Sequence, residues 1–429
     1  MRTALLLVAA LAGCTTARAS EDVAAHVGER YITIGTDALP TLAGHARLIE
    51  TEGDHAVVAV DARDLETLSE EMHEVFHRCG GFMVHDSLDD ALSVQKDGPK
   101  KPIEYTLDHG ALVRAVLPKL QEQSILGTIR ELSSMQNRYY QSTTGAAAST
   151  WLRDKWRSFS TRTDISFELF DQGYAQRSVI LTIPGTTRAN EVVVLGGHLD
   201  SIAIGGRNSN APGADDDASG IATLTEIVRV LLQTNYRPER TIKVIAYAAE
   251  EVGLRGSLAI VKEFKKRKIN VVGALQLDMT NYQGSDKDIW LMRDFTDAAQ
   301  NAFLVRLIET YVGATWAFDA CGYACSDHAS WTRAGVPASM PFEARMHDRN
   351  TAIHTKHDTL EMSDENAIHA LKFARLGAAY AIELAKGDTS ATIPTDEPDA
   401  PDRWVLFAGL FALAFAARQR AKNSAMTIA

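Results

Sequence analysis

The stretch VVVLGGHLD, residues 192–200, sets a continuous apolar run directly in front of a histidine and an aspartate. Two similar, nearly continuous runs follow, TIKVIA at residues 241–246 and VGALQL at residues 272–277. Runs of this kind predict strands that are buried on both faces. Between the first two runs, apolar residues recur at helical spacing, namely Ile221, Leu224, Ile227, Val228 and Leu231. This order predicts an α/β fold with a mostly parallel, mixed, twisted sheet that carries helices on both faces.

Each of these predicted strands is followed by acidic residues or histidine. His198 and Asp200 follow the first run, Glu250 and Glu251 follow the second, and Asp278 follows the third. The carboxyl ends of parallel strands meet at one edge of the sheet, which is where function gathers in such folds. We therefore expect these side chains to lie close together.

Three consecutive aspartates, residues 215–217, precede the predicted helix. Neighbouring carboxylates repel one another unless a cation neutralises them. Taken alone, the triplet is also compatible with an acidic turn that caps a helix, since helix N-termini favour carboxylates. The convergence of the other acidic strand ends on the same edge favours a metal site.

The residue types at this edge suit a pair of zinc ions. Zinc accepts imidazole nitrogen and carboxylate oxygen, and two metal ions about 3.5–4 Å apart can share a bridging carboxylate. Such a pair needs a second histidine, which is expected C-terminal to the strands. The segment IHTKHDT, residues 353–359, offers His354.

Six strings match the motifs of a known family in their order along the chain. They are GGHLDS (196–201), APGADDDASG (211–220), AYAAEEVGLRGS (246–257), LQLDMTNY (275–282), CGYACSDHASW (321–331) and IHTKHDT (353–359). These strings closely resemble those of the bacterial leucyl aminopeptidases, which are secreted two-zinc exopeptidases. The resemblance runs through most of residues 102–387 and implies a zinc-peptidase αβα sandwich as the catalytic domain.

The resemblance implies a role for each matching residue, with two Zn²⁺ ions per catalytic domain. One zinc would be held by His198 and Asp278, the other by Glu251 and His354, and both by a bridging Asp216. Glu250 would be the general base that takes a proton from the metal-bound water. Asp200 would orient His198, as carboxylates do for metal-bound histidines.

Cys321 and Cys325 stand four apart around Tyr323. Such a pair can hold zinc, but no second cysteine pair completes a tetrahedral site, so a local disulfide is expected in an exported chain. In the family this loop lines the side-chain pocket, and here Arg349 replaces the aromatic residue usual at its rim. The implied apolar pocket consists of Met279, Tyr323, Met340, Phe342, Met346 and Ile353.

The implied function is that of an exported zinc metallo-exopeptidase, a leucyl aminopeptidase. It would hydrolyse the N-terminal bond of peptides or proteins and prefer leucine or other hydrophobic N-terminal residues. A same-fold carboxypeptidase, a glutaminyl cyclase and a non-catalytic surface binding protein are the alternatives. A formal net charge of −11 argues against nucleic acid as a partner. We expect a monomer.

Residues 20–101 form a segment of different character. The alternating AVVAV at residues 56–60 and an amphipathic pattern at residues 65–76 predict a small α+β domain. The string HEVFH, residues 73–77, fits the H-E-x-x-H zinc-protease motif, but no third ligand is evident at a suitable distance. The adjoining RCGGFMVH, residues 78–85, resembles the family's propeptide. We therefore interpret residues 20–101 as the propeptide-like domain of a zymogen, which assists folding or blocks the site until it is removed. Cys79 is expected to be a buried thiol, with zinc ligation as its alternative.

Both ends of the chain carry targeting patterns. Residues 1–19 are interpreted as a signal peptide, although LAGC at residues 11–14 also has the form of a lipoprotein site that would leave Cys14 lipidated. Residues 388–403 form an acidic, proline-containing linker, and residues 404–429 form a hydrophobic tail with a basic end. About fourteen apolar residues of helix reach only ~21 Å, short of the ~30 Å hydrocarbon core, so we interpret the tail as a sorting or anchoring signal. The protein is expected to be secreted or to lie in the cell envelope, in the periplasm or on the outer surface. Membrane association through the tail or Cys14 stays open.

Overall fold

The computed structural model describes residues 28–42, 44, 46–76, 78, 80–93 and 103–389. The predicted signal peptide, Cys14, Cys79 and the hydrophobic tail therefore lie outside the described residues, as does the predicted linker beyond Thr389. The described residues up to Asp388 belong to one compact unit. Among the described helices, none combines the length and the apolar character needed to cross a membrane.

The N-terminal domain, residues 28–93, is a four-stranded antiparallel sheet with helices. Its strands are β1 (Glu29–Gly35), β2 (Ala46–Glu52), β3 (His55–Asp61) and β4 (Phe82–His85), in the order β2-β3-β1-β4. Its helices are α1 (Leu65–Phe76) and α2 (Leu88–Leu92). Helix α1 buries Leu68 and Met72 in one apolar cluster with Ile32 and Ile34 of β1. The sequence patterns at residues 56–60 and 65–76 thus form the strand and the helix that they predict.

The remaining helices and strands belong to residues 103–389. The helices are α3 (Gly110–Val116), α4 (Glu122–Ser133), α5 (Thr143–Ser158), α6 (Ala218–Gln233), α7 (Arg255–Lys266), α8 (Ala298–Leu307), α9 (His328–Arg333) and α10 (Ile368–Ala385). The strands are β5 (Ser166–Phe170), β6 (Ser178–Ile183), β7 (Arg188–His198), β8 (Tyr236–Arg237), β9 (Arg240–Tyr247), β10 (Asn270–Gln276), β11 (Ile289–Met292), β12 (Trp316–Asp319), β13 (Ala338–Ser339), β14 (Pro341–Phe342) and β15 (Asp388–Thr389). Short 3₁₀ helices span Thr36–Leu42, Leu117–Lys119, Gly206–Asn208, Met346–Asp348 and Leu360–Ser363, and a π-helical turn spans Ile308–Val312.

The central sheet has six strands in the order β13-β10-β7-β9-β6-β5. Strands β13, β10, β7 and β9 are parallel, whereas β6 and β5 are antiparallel to their neighbours. In this register Leu195 of β7 pairs with Val244 of β9 on one side and with Leu275 of β10 on the other. The predicted mostly parallel, mixed sheet is confirmed, and its three predicted strands are β7, β9 and β10.

Helices cover both faces of this sheet, which explains why its inner strands show no polar alternation. Val193 and Leu195 belong to the apolar core on the face covered by α6 and α10. Val192 and Val194 belong to the opposite cluster, to which α7 contributes Phe264. A smaller three-stranded sheet has the order β12-β11-β14. Its strands all follow β10 in sequence.

Candidate metal centre

The aligned register brings the acidic strand ends to one edge of the central sheet. His198 is the last residue of β7 and pairs with Tyr247 at the end of β9. Glu250 and Glu251 follow β9 by three and four positions, and Asp278 follows β10 by two. The structure therefore brings these four residues together, as the sequence pattern predicts.

Asp216 lies between two imidazoles. Its Oδ1 is 2.9 Å from Nε2 of His198, and its Oδ2 is 3.0 Å from Nε2 of His354. Each oxygen of one carboxylate thus faces a different histidine, which is the arrangement that a ligand shared by two cations requires.

Each histidine also faces a carboxylate of its own. Asp278 Oδ1 lies 3.6 Å from His198 Nε2, and Glu251 Oε2 lies 3.1 Å from His354 Nε2. We call His198 with Asp278 the His198 half of the centre, and Glu251 with His354 the His354 half. The five side chains, including Asp216, are at most 6% exposed.

Several polar atoms in this buried cluster have no hydrogen-bond partner among the described residues. They are both carboxylate oxygens of Glu250 and of Glu251, Oδ1 of Asp278 and Nε2 of His354. An unpaired buried polar group costs about 1–3 kcal/mol, so native structures pair such groups with very few exceptions. Converging carboxylate oxygens and imidazole nitrogens are the donors that zinc takes, so the residues present fit a metal centre.

The buried carboxylates and imidazoles of this cluster shift one another's pKa values. Burial alone would lower the pKa of His198, but the carboxylates of Asp278, Asp200 and Asp216 raise it well above its usual range. Burial would raise the pKa of Asp216, yet the adjacent imidazoles of His198 and His354 hold it far below its ordinary value. Burial and the charge of Asp216 raise the pKa of Glu251 to about 7.

Asp200 supports both halves of the centre. Its Oδ1 lies 3.4 Å from His198 Nδ1, on the ring edge opposite Asp216, and its main-chain oxygen lies 3.1 Å from the same nitrogen. Its carboxylate also accepts hydrogen bonds from the main-chain N–H groups of Glu250 and Glu251, at 3.1 and 3.2 Å. The sequence pattern indicates the first contact but not the second, which fixes the loop after β9.

The three consecutive aspartates make different contacts. Asp216 alone contacts the two histidines through its carboxylate. Asp217 is the N-cap of α6, where its Oδ1 accepts a hydrogen bond from Gly220 N at 2.8 Å, and its Oδ2 accepts one from His198 N at 2.9 Å. Asp215 accepts from Asn281 N at 3.2 Å. The helix-cap interpretation therefore holds for Asp217 and the metal-site geometry for Asp216.

Two residues that support the aspartate loop have no role in the sequence-based prediction. Arg138 is fully buried and donates hydrogen bonds to the main-chain oxygens of Leu199, Pro212 and Gly213 at 2.9, 2.6 and 2.9 Å. Asp358 accepts hydrogen bonds from the main-chain N–H groups of residues 215 and 216. Asp358 lies in the matched string at residues 353–359, so a signal existed, whereas nothing local marks Arg138.

Three residues beside the ligands adopt left-handed backbone conformations that non-glycine residues rarely use. Ala249, Met279 and His354 each have φ of 58°. Ala249 precedes Glu250 and Met279 follows Asp278, so the strained positions adjoin the functional side chains. Such strain costs about 1–3 kcal/mol per residue and concentrates at functional sites.

An apolar cluster includes Met279, the residue after Asp278. All six predicted pocket residues belong to it, with Met346 partly buried, and it also contains Trp290 and Met292 of β11, which sequence reasoning missed. Cys321 and Cys325 form the expected disulfide at its edge. Arg349 donates a hydrogen bond from Nη1 to the main-chain oxygen of Met346 at 2.8 Å.

The H-E-x-x-H string of the N-terminal domain does not form a separate zinc-protease site. His73 is buried, but Glu74, which would be the base in that motif, is exposed. His77 lies outside the described residues. Because a catalytic base must face the site, the exposure of Glu74 contradicts that interpretation of the motif.

Comparison with known proteins agrees with this geometry. A model of peptidase family M28 matches residues 178–379, which include every candidate metal ligand of the two halves. Leucine aminopeptidase 1 of Paracoccidioides brasiliensis (strain Pb03) is 33% identical over 294 residues, which span 65% of this chain and 75% of the fungal protein.

Two solved structures from Legionella pneumophila are similar over most of the chain. The LapA aminopeptidase has a TM-score of 0.74 and 29% sequence identity, covering 85% of this chain and 99% of that one. LapB has a TM-score of 0.72 and 30% identity, covering 84% of this chain and 100% of that one. The chain is therefore an enzyme of peptidase family M28, as its strings of matching residues predict.

Proposed function

We propose that the protein is a two-zinc aminopeptidase that removes leucine or other hydrophobic residues from the N-termini of peptides and proteins. The observation that carries the proposal is the position of Asp216, whose two oxygens each face one histidine at 2.9 and 3.0 Å. The names of the fungal relative and of LapA support aminopeptidase activity.

His198 and Asp278 would hold one zinc ion, Glu251 and His354 would hold the other, and Asp216 would contact both. When bound, such ions polarise the scissile carbonyl and lower the pKa of a coordinated water towards 7. The residues of the chain perform the remaining tasks, which are proton transfer, substrate orientation and selection of the side chain.

Glu250 is the proposed general base. It is fully buried, and both of its carboxylate oxygens lack a hydrogen-bond partner among the described residues. Burial raises its pKa well above the usual value, an effect that the charge of His198 opposes. A carboxylate with a raised pKa can accept a proton from water and then deliver it to the leaving amine.

The donor groups of the cluster support a preference for N-termini. The carboxylates of Asp216, Glu250, Glu251 and Asp278 converge on one buried site. The free α-amine of a peptide N-terminus would be held there by one of the two cations and by the carboxylates beside it. The apolar cluster around Met279 and Tyr323 would receive the side chain of the N-terminal residue.

We also propose that the protein acts outside the cytoplasm as a monomer. The Cys321–Cys325 disulfide supports this location, since disulfides persist in oxidising compartments. The predicted export signal in residues 1–19 points the same way. Mass spectrometry of the mature protein would show which ends remain, and retention of residues 1–19 in a cytoplasmic product would contradict export.

Glu250→Gln tests the catalytic assignment. Turnover of leucine p-nitroanilide should fall by about 10²–10⁴-fold, while the zinc content measured by mass spectrometry stays unchanged. The activity is measured before and after trypsin treatment, because the N-terminal domain contacts the site. Glu168→Gln, at an exposed position, is the matched control. Unchanged turnover in Glu250→Gln would refute its role as base, and hydrolysis only of N-blocked peptides with free C-termini would refute the aminopeptidase.

A further inference from the structure

The N-terminal domain inserts a histidine into the His354 half. His73 lies on α1 and is 6% exposed. Its Nε2 is 3.5 Å from Oε2 of Glu251, and its ring centroid is 4.1 Å from that of His354. This nitrogen has no hydrogen-bond partner among the described residues. Leaving a buried imidazole nitrogen without a partner costs free energy, so we expect Nε2 of His73 to have a partner from outside the protein chain.

The geometry is that of a three-ligand metal site. His73, Glu251 and His354 each offer one ligand atom, and these atoms all lie within 4.8 Å of one another. Two imidazole nitrogens and one carboxylate oxygen form a ligand set that zinc commonly takes. The His198 half has no matching histidine from the N-terminal domain among the described residues.

Hydrogen bonds between the N-terminal domain and the loop after β9 hold α1 in this position. Ser69, one helical turn before His73, donates from Oγ to the main-chain oxygen of Glu251 at 2.7 Å. Val84 N donates to Gly253 O at 3.1 Å. The domain is thus attached to the same loop that carries the metal ligand.

The approach at a second point is close enough to require glycine. Gly80 has φ of 52°, and a Cβ there would lie 3.2 Å from the main-chain oxygen of Glu250. The neighbouring Arg78 places its guanidinium 4.9 Å from the ring centroid of Tyr323, at the proposed substrate pocket. The N-terminal domain therefore reaches both the metal centre and the pocket.

We propose that His73 is a fourth protein ligand for the cation of the His354 half, beside Glu251, His354 and the shared Asp216, so that the intact chain is latent until the N-terminal domain departs. The inference that the intact chain is inactive rests on the proposed function, whereas the inference that His73 binds the cation does not. The imidazole takes the place on that cation which the substrate's amine or the reacting water needs. His73 thereby blocks the site until the N-terminal domain is removed. Cleavage in the lysine-rich segment at residues 94–102 would release the domain.

The test uses the full chain loaded with Co²⁺, whose visible absorption reports the ligands of each ion. His73→Ala should change the absorption bands and lower the affinity for one of the two ions by at least about tenfold in chelator competition. The uncleaved variant should also hydrolyse leucine p-nitroanilide faster than the uncleaved wild type. Glu74→Ala is the matched control, because this exposed neighbour on the same helix should change neither readout.

Identical spectra and affinities in His73→Ala and wild type would overturn the ligand assignment. If His73→Ala does not fold, X-ray absorption at the zinc edge of the wild type decides the question, since three imidazoles rather than two should be shared by the two ions. A spectral change without peptidase activity in any form, trypsin-treated wild type included, would support the ligand role and refute the aminopeptidase proposal.

Discussion

The two halves of the metal centre are built in different ways. In the His198 half, His198 ends β7 and Asp278 follows β10 by two residues, and Asp217 accepts a hydrogen bond from the main-chain N–H of His198. In the His354 half, Glu251 and His354 both lie on loops, and His354 has φ of 58°. Among the described residues, His73 of α1 lies beside this second half. The comparison indicates that one half is fixed by the sheet, while the other can be controlled by a neighbouring domain.

The largest expected effect comes from the residue that both halves share. Asp216→Asn removes the negative charge between His198 and His354, so both cations should bind weakly. Turnover should fall by about a thousandfold or more, because metal ions contribute several kcal/mol to such reactions. Zinc content and leucine p-nitroanilide hydrolysis are measured together, with the exposed Asp54→Asn as control. Retention of two zinc ions in Asp216→Asn would contradict a bridging role.

The second prediction concerns the support beneath Asp216. Arg138→Ala removes the guanidinium that donates to the buried main-chain oxygens of Leu199, Pro212 and Gly213, the last of which also accepts from Ala218 N. We expect a loss of about 3–5 kcal/mol in the free energy of unfolding, measured by urea denaturation. Arg157→Ala, at an exposed position, serves as control. A loss below about 1 kcal/mol would show that water replaces the guanidinium and that the loop does not depend on it.

Asp216 and Arg138, the residues changed in these two variants, differ in how far the sequence predicts their roles. Strands β7, β9 and β10 follow from apolar runs, and His198 and Asp278 stand at the ends of two of these runs, which is a local signal. Asp216 is marked by a different local pattern, the three consecutive aspartates before α6. The contact of Arg138 with the aspartate loop depends on tertiary packing between segments far apart in sequence, and a single buried arginine carries no periodic pattern.

His73 illustrates the same limit in another way. The H-E-x-x-H string suggests that the partners of His73 lie on the same helix, α1, and no third ligand is evident near that string in the sequence. The structure places its partners, Glu251 and His354, in the other part of the chain. The motif does not indicate these partners, and only the fold shows which residues lie beside His73.

A third, smaller effect concerns the pocket rather than either half. The double variant Cys321→Ser with Cys325→Ser removes a disulfide that closes a very short ring, which should cost about 2 kcal/mol of stability. Because the loop carries Tyr323 and no metal ligand, KM for leucine substrates should rise while kcat stays nearly constant. Steady-state kinetics of the trypsin-treated enzyme measure both values. A fall in kcat with unchanged KM would place the loop in the chemical step.

The smallest expected effect comes from a variant that tests the difference between the two halves. Ser69→Ala removes one hydrogen bond to the main-chain oxygen of Glu251, worth about 1 kcal/mol. The activity of the uncleaved chain should rise by about fivefold at most, and only the affinity for the ion of the His354 half should change. Ser87→Ala, which removes the side-chain cap of α2, is the control within the same domain. Equal changes in both ion affinities would contradict the distinction between the halves.

The most direct measurement is an anomalous-difference map from a crystal of the zinc-loaded full chain. Two zinc peaks are expected on either side of Asp216, one beside His198 and Asp278 and the other beside Glu251, His354 and His73. A single peak, or peaks away from Asp216, would contradict the shared carboxylate on which the whole account depends.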